Sequence, residues 1–530
     1  MSTPGTRIAQ FAATVALFGL GVAACGEKEP PAPPKARVVH YGPQGELVGG
    51  VKPTATPSFV IVCLSGVRFD EAFRTEGGAA AMPRLARFAK ESVSFENAAS
   101  PCAWDVPAFV STLIGLAPTQ HTMKGIYGDR IALESLIPSV VTLAEILGKG
   151  GYATAAMTRG GPYARGHGVE QGFESYEEGW RLEGTGVERT AGWIGKRPAG
   201  RPFLLVLHAD DASAPYVERA ATASPSADEP ELVRGAERVV AAATKANGTV
   251  SDDDAPDIIA ARLFSARAST ATDGLEALDV ARSLSRRLAS PWGAGPAGDE
   301  LAAKARDAYR TNLARVDRLF GALLDRIAAT DLPKDTITIV FSDHGEALGE
   351  RREARAFGAG GSLMDEHVHV PLVIHAPGRL APASVHGSCS LVDVMPTVLD
   401  LCGLPRHGET GMGWSLLPLI AKPGGKGLAT FSVEYVAAQT PQGMPVRRTL
   451  YALRTARTKY VATYDPGTRQ YTEEVYDLSA DPGEMKLLSS DHVEADGPEL
   501  VRLVHGLRED LAGHLKGVLE RAALGYGTTD

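Results

Sequence analysis

Four short segments carry side chains that could act together on a substrate or a cation. Ser65, Arg68 and Asp70 follow the first apolar run; Cys102 and Asp105 precede Pro107; Asp211 and Ser213 lie in Asp-Ala-Ser-Ala-Pro-Tyr, ending at Tyr216; Asp343 and His344 open Asp-His-Gly-Glu. A carboxylate beside an imidazole can hold a divalent cation or pass a proton, and a carboxylate at a helix entry can ligate that cation or attack an electrophile itself. A plainer role fits the same residues, since Asp343 can cap the following turn and orient His344. Hard divalent cations take ~6 or more oxygen ligands, so Asp105, Asp343 and His344 alone would make a poor site. His367 and His369, two apart, read as exposed surface residues rather than ligands.

The elements that must position these groups are legible as apolar runs. Ser58 to Leu64 is short, continuous and rich in β-branched residues, as a parallel strand buried on both faces should be. Thr154 to Met157, Pro202 to His208, Thr336 to Ser342 and Pro371 to His375 have the same character, and helical patterns at Met82 to Ser92, Ser139 to Gly148 and Ala308 to Ala328 lie between them. Alternating strands and helices predict a doubly wound parallel α/β sheet. Ligands of such sheets bind at the carboxyl ends of the strands, where Ser65, His208 to Asp211 and Asp343 fall.

Residues 58–419 thus read as one large α/β domain. Within it, 217–307 is rich in Ala, Ser, Asp and Arg with no strand signal, and reads as a helical or partly disordered insertion. Residues 420–530 change character: Ala429 to Tyr435, Arg448 to Arg454, Lys459 to Tyr464 and Glu474 to Tyr476 alternate like antiparallel strands of a smaller subdomain. Residues 498–522 place Leu500, Leu503, Val504, Leu507, Leu511, Leu515, Val518 and Leu519 at helical spacing, the docking face of a terminal helix.

Taken in order, Leu64-Ser-Gly-Val-Arg-Phe-Asp70, Ser100 to His121, Gly172-Phe173, His208 to Tyr216, Phe341 to Glu350, Phe357 to Pro371, Ser390 to Leu404 and Val475 to Glu484 resemble the sulfatase family of the alkaline-phosphatase superfamily. The likeness covers about residues 58 to 490 apart from the insertion. It implies a central mixed sheet flanked by helices, a smaller C-terminal sheet, and a site that hydrolyses sulfate or phosphate esters at a divalent metal, calcium or magnesium. Such a site needs a cation against the ester oxygens, a nucleophile beside it, and donors for the leaving group.

Set against that pattern, most positions are changed. The family's carboxylates after the first strand fall on Ser65 and Gly66. The nucleophile, two residues before a proline at a helix entry, falls on Asp105, and the serine and arginine that accompany it fall on Ala108 and Phe109. Cys102 is out of register as a formylglycine precursor. Two histidines that would hold the transferred group or protonate the leaving oxygen fall on Ser213 and Ala359. Asp343 and His344 persist as the second pair of metal ligands, together with Arg68 and Asp70.

The N-terminus supplies an address. An apolar run from Ile8 to Val22 is shorter than the ~20 residues of a spanning helix and ends in Val22-Ala23-Ala24-Cys25, a lipobox-like tetrapeptide. Residues 1–24 therefore read as a lipoprotein signal peptide, Cys25 as the acylated N-terminus, and 25–57, rich in proline, as a tether on the periplasmic or outer side of a bacterial envelope membrane. Cys63, Cys102, Cys389 and Cys402 read as free thiols. A formal charge of −9 argues against nucleic acid as a partner. Three readings stay open: a non-catalytic relative that binds an anionic glycan or lipid or partners an envelope protein, a divergent metal-dependent ester hydrolase using Asp105, and a structural envelope protein.

Overall fold

The computed structural model describes residues 56–488, except 74–79, 122, 124–134, 137, 161–162, 214–295, 352–356, 405–412, 440–444 and 469. The expected signal peptide with Cys25, nearly all of the tether, most of the 217–307 insertion and, apart from Gly506, the terminal helix lie outside these residues.

The central sheet has eight strands: β1 (Phe59–Leu64), β2 (Val93–Ala99), β3 (Ala153–Met157), β4 (Ser175–Glu177), β5 (Phe203–Ala209), β6 (Ile337–Phe341), β9 (Leu372–His375) and β10 (Ala383–Ser390), in the order β10-β2-β9-β6-β1-β5-β3-β4. A two-stranded ribbon, β7 (Ala347–Leu348) with β8 (Phe357–Gly358), lies apart from it. β1 pairs in parallel with β5 and β6, so the carboxyl ends of these three strands open on one edge. The parallel sheet expected from the alternation of strands and helices needs one correction: β9, from the Pro371–His375 run, is antiparallel to both β2 and β6. The sheet is therefore mixed, as the resemblance implied.

Alternation along β1 divides its side chains between two cores. Phe59, Ile61 and Cys63 pack with α3 (Asp105–Ile114), α4 (Leu143–Lys149) and α8 (Val394–Cys402). Val60, Val62 and Leu64 pack with α1 (Phe69–Phe73), α2 (Pro83–Lys90), α5 (Gly186–Lys196) and α6 (Pro296–Ala328). With both faces covered, every residue of β1 can be apolar and buried. The helix α6 starts at Pro296, a favoured first-turn residue, so the last part of the 217–307 segment is helical. Its stripe Tyr309, Leu313, Val316, Phe320, Leu323 and Ile327, spaced by four and three, lies against the sheet.

Local signals set several helix ends. Thr142 and Glu145 form a reciprocal capping box at α4. Gly115 and Gly403 end α3 and α8 in the left-handed region, at φ 67° and 66°. Among the described residues no helix is long and apolar enough to cross a membrane.

A second, antiparallel sheet is formed by β11 (Thr430–Gln439), β12 (Pro445–Arg454), β13 (Thr458–Asp465) and β14 (Gln470–Asp477) in sequence order. It joins the main body through Val433 N–H to the Pro101 carbonyl (2.9 Å) and Ser432 Oγ to the Ser100 carbonyl (2.6 Å). A buried ionic network adds to the joint. Asp365, on the one-turn helix α7 (Asp365–Val368), accepts from Arg454 through both carboxylate oxygens (2.9 and 2.8 Å) and from Lys459 Nζ (2.7 Å). Lys459 also reaches Glu484 at 2.7 Å, and Arg351 bridges Glu484 and Glu366.

Candidate functional site

Ser65 and Gly66 turn out of β1 beside the ends of β5 and β6. The turn is held by Ser65 N–H to the Ala209 carbonyl (2.8 Å), by Val67 N–H to Ser342 Oγ (2.9 Å) and by the Tyr309 hydroxyl to the Gly66 carbonyl (2.7 Å). Gly66 has φ 85°, and an added Cβ would sit 2.6 Å from Ser213 Oγ and 3.0 Å from the Ser213 Cα and backbone N. Thus Ser213, where a histidine would stand in the resemblance, closes over the place where a side chain at 66 would emerge. The two expected losses are spatial neighbours.

Asp343 follows β6 and is completely buried. Its Oδ2 lies 3.1 Å from His208 Nε2, and its Oδ1 accepts the His344 backbone N–H at 2.9 Å. Burial alone would push this carboxyl up, but His344, His208 and the Ser65 hydroxyl hold it below the usual carboxylate range. His344 lies with its Nδ1 2.8 Å from the Gly345 carbonyl, which fixes a proton there; Nε2 lies 3.2 Å from Ser65 Oγ and carries a lone pair when the ring is neutral. Burial disfavours its charged form, yet Asp343, Glu346 and Asp105 outweigh that and raise its pKa.

Asp105 opens α3, where an anion is favoured by the helix N-terminus, and its Oδ1 accepts the N–H of Val106 at 2.8 Å. It lies near enough to influence His344, Tyr163 and Arg159. Phe109, one helical turn on, is fully buried. Its ring meets His208 edge-on at 4.7 Å and Tyr163 at 5.6 Å, so the expected arginine position is an aromatic wall. Ala359 packs with Cys102, Trp104 and Ala108, and the Trp104 indole comes within 2.5 Å of a Cβ added to Gly360. The room of the second missing histidine is thus lined by an indole.

The surviving pair Arg68 and Asp70 bind each other (2.7 Å), and Arg68 also holds Glu350 and the Glu346 carbonyl, so this guanidinium serves the loop. Cys102 donates to Glu434 Oε2 of β11 (3.3 Å) and belongs to the joint with the second sheet. All four cysteines of the described region are free thiols. His367 and His369 correct an expectation of surface exposure. His367 is buried with Nε2 3.0 Å from the Gly358 carbonyl, and His369 stacks on Phe69 at 4.3 Å with Nε2 2.9 Å from the Glu96 carbonyl.

The donor set does not suit calcium or magnesium. Position 66 offers no side chain and no space for one, Ser65 Oγ is engaged by His344, and of the expected ligands only Asp105 and Asp343 carry carboxylates; hard cations need ~6 or more oxygens. Sequence reasoning passed over two residues the structure brings here. Cys63 and His208 are register partners on β1 and β5, each one residue before its strand's end, and with Asp343 they put three possible ligand atoms within 4.8 Å of one another. The signal was in the text as two ligating residue types at the same offset from the ends of two apolar runs. Arg159, ion-paired with Asp210 near Asp105, was also missed.

Comparison with known proteins follows the same outline. The family profile described as Sulfatase matches residues 57–404, and that of the N-sulphoglucosamine sulphohydrolase C-terminal region matches 361–510. Arylsulfatase K of Gallus gallus is 33% identical over 186 residues, covering 33% of this chain and 32% of that protein. Choline-sulfatase of Rhizobium meliloti (strain 1021) is 31% identical over 194 residues, covering 36% and 34%. The matched part spans about a third of the length of these curated relatives. A solved complex with its substrate D-glucosamine-2-N,6-O-disulfate has a TM-score of 0.59 at 19% identity, over 88% of this chain and 99% of that one. Phosphonate monoester hydrolase from Silicibacter pomeroyi gives 0.56 at 17%, over 87% and 95%. These structures share the fold, and the profile match over most of the main body shows that the chain belongs to the sulfatase family.

Proposed function

We propose that this sulfatase-family chain does not hydrolyse sulfate or phosphate esters and acts in the bacterial envelope as a binding protein, held to a membrane by lipid on Cys25 and recognising an anionic glycan or an envelope protein. The observation that carries the reading is the contact of Gly66 with Ser213, where the family's metal carboxylate has neither a side chain nor room for one. Phe109 in place of the arginine and Ala359 against Trp104 support it from two further segments. An anionic ester approaching Asp105 would meet a carboxylate with no cation at 109 to offset the repulsion. Turnover of aryl sulfates and aryl phosphates tests the reading directly, and binding to immobilised sulfated glycans separates a recognition role from a purely structural one.

A second reading, a divergent hydrolase, draws on one observation: Asp105 shares its surroundings with the cationic Arg159 and with His344. In that case Asp105 would be the attacking or ligating group. Metal-dependent turnover lost on replacing Asp105 would favour it.

A further inference from the structure

We propose that Cys63, His208 and Asp343 form a binding site for a borderline divalent cation of the zinc class, in place of the calcium or magnesium that the family resemblance implies. The three residues reach one point from three adjacent strands. Cys63 and His208 are paired in register on β1 and β5 and therefore point to the same face, and Asp343 is the second residue beyond β6, which flanks β1 on its other side. All three are fully buried, and their ligand atoms lie within 4.8 Å of one another, with His208 Nε2 and Asp343 Oδ2 3.1 Å apart. Zinc bonds of roughly 2.0–2.3 Å place tetrahedral ligand atoms roughly 3.3–3.8 Å apart, so small side-chain adjustments bring the set to that geometry.

The ligand types choose the metal. A thiolate, an imidazole and one carboxylate suit zinc, whereas a hard cation is left with a single carboxylate. Charge balance agrees. A zinc ion with the Cys63 thiolate and the Asp343 carboxylate sums to zero, the form a fully buried site tolerates best. Binding transfers the thiol proton to solvent: Cys63–SH and Zn²⁺ give Cys63–S–Zn⁺ and H⁺. His344 lies beside the set, its Nε2 3.7 Å from Asp343 Oδ1. The ion would sit against the aromatic wall of Phe109 and Tyr163, which keeps bulk water from it.

The test uses the full chain, without a histidine tag, purified and dialysed against a weak chelator. Elemental analysis should find zinc near one ion per chain and no comparable calcium or magnesium. Cobalt exchanged into the protein should give a thiolate-to-cobalt charge-transfer band that disappears in Cys63→Val. That variant should retain at least roughly tenfold less zinc, since even residues that only support a metal ligand are worth that much. A buried substitution can fail to fold, so the unmodified chain decides: no retained zinc and no sulfur-to-cobalt band overturn the proposal. Retention of zinc by a folded Cys63→Val also overturns it. The readings need no activity, so the inference stands apart from the binding-protein function. A zinc-loaded chain that hydrolyses nothing supports both, and zinc-dependent hydrolysis would overturn the function while leaving the site.

Discussion

Gly66 and Ser213 occupy one another's side-chain space: a Cβ on residue 66 would lie 2.6 Å from the Ser213 hydroxyl oxygen, and Gly66 itself sits at φ 85°. Positions 66 and 213, where the resemblance places a carboxylate and a histidine, therefore meet in one packed contact. Gly66→Asp should not rebuild a cation site. It should cost about 2–4 kcal/mol, combining left-handed backbone strain with overpacking. Denaturant unfolding reads the stability and calorimetric titration with calcium reads the binding; a stable variant that binds calcium would contradict the packing argument.

The joint between the two sheets depends on Asp365, gripped by Arg454 and Lys459 at 2.7–2.9 Å. Removing one partner of a buried ion pair leaves charge uncompensated, a change that costs about 3–5 kcal/mol. Arg454→Met should lower stability by about that amount. A loss under about 1 kcal/mol, at the level of exposed pairs, would show that the network contributes little.

Two groups at this joint titrate against each other. Burial, with Asp365 and Glu366, raises the Glu484 carboxyl to about 7, whereas burial and the Arg454 charge lower His369 to about 4. As pH rises from about 4.5 to 7 the folded state holds more protons at Glu484 than the unfolded chain does, and stability falls. As pH rises from about 4 to 6.5 the unfolded chain holds more at His369, and stability rises. The slopes oppose in nearly the same window. Glu484→Gln should unmask the histidine, so that thermal midpoints climb more steeply between pH 4 and 7 than in the unmodified protein. An unchanged or flatter slope would contradict this.

Much of the frame was legible because apolar runs such as Phe59–Leu64 and the spacing Tyr309, Leu313, Val316, Phe320 report burial directly. β2 and β10 were not expected. Val-Ser-Phe-Glu-Asn-Ala-Ala and Ala-Ser-Val-His-Gly-Ser-Cys-Ser carry polar residues at their partly exposed positions and lack a continuous apolar signal. The direction of β9 was hidden too, since a four-residue apolar run reads the same whichever way its neighbours lie. In the site, the changed positions could be named by aligning motifs. That Gly66 and Ser213 touch, that Phe109 walls His208, and that Cys63 meets His208 and Asp343 depends on strand register, which no local pattern contains.

The proposed address has its own test. The apolar run ending in Val22-Ala23-Ala24-Cys25 predicts cleavage before Cys25 and acylation of its thiol. Mass spectrometry of the mature N-terminus should find a diacylglycerol-modified cysteine. An uncleaved start, or an unmodified residue at that position, would remove the lipid anchor from the proposed function.

Hydrolysis compared between the unmodified chain and the double variant Asp105→Ala/Asp343→Ala tests the proposed loss of chemistry most directly. Single stabilising groups of the kind the resemblance places at positions 66, 109, 213 and 359 are each worth about 100-fold to 1,000-fold in rate, so the absence of several together should erase activity even with strong non-additivity. Aryl sulfates and aryl phosphates, assayed with calcium, magnesium and zinc in turn, should give the same background rate with both proteins. Turnover by the unmodified chain well above the double variant, rising as a metal is titrated in, would contradict the binding-protein function and make Asp105 the leading catalytic residue.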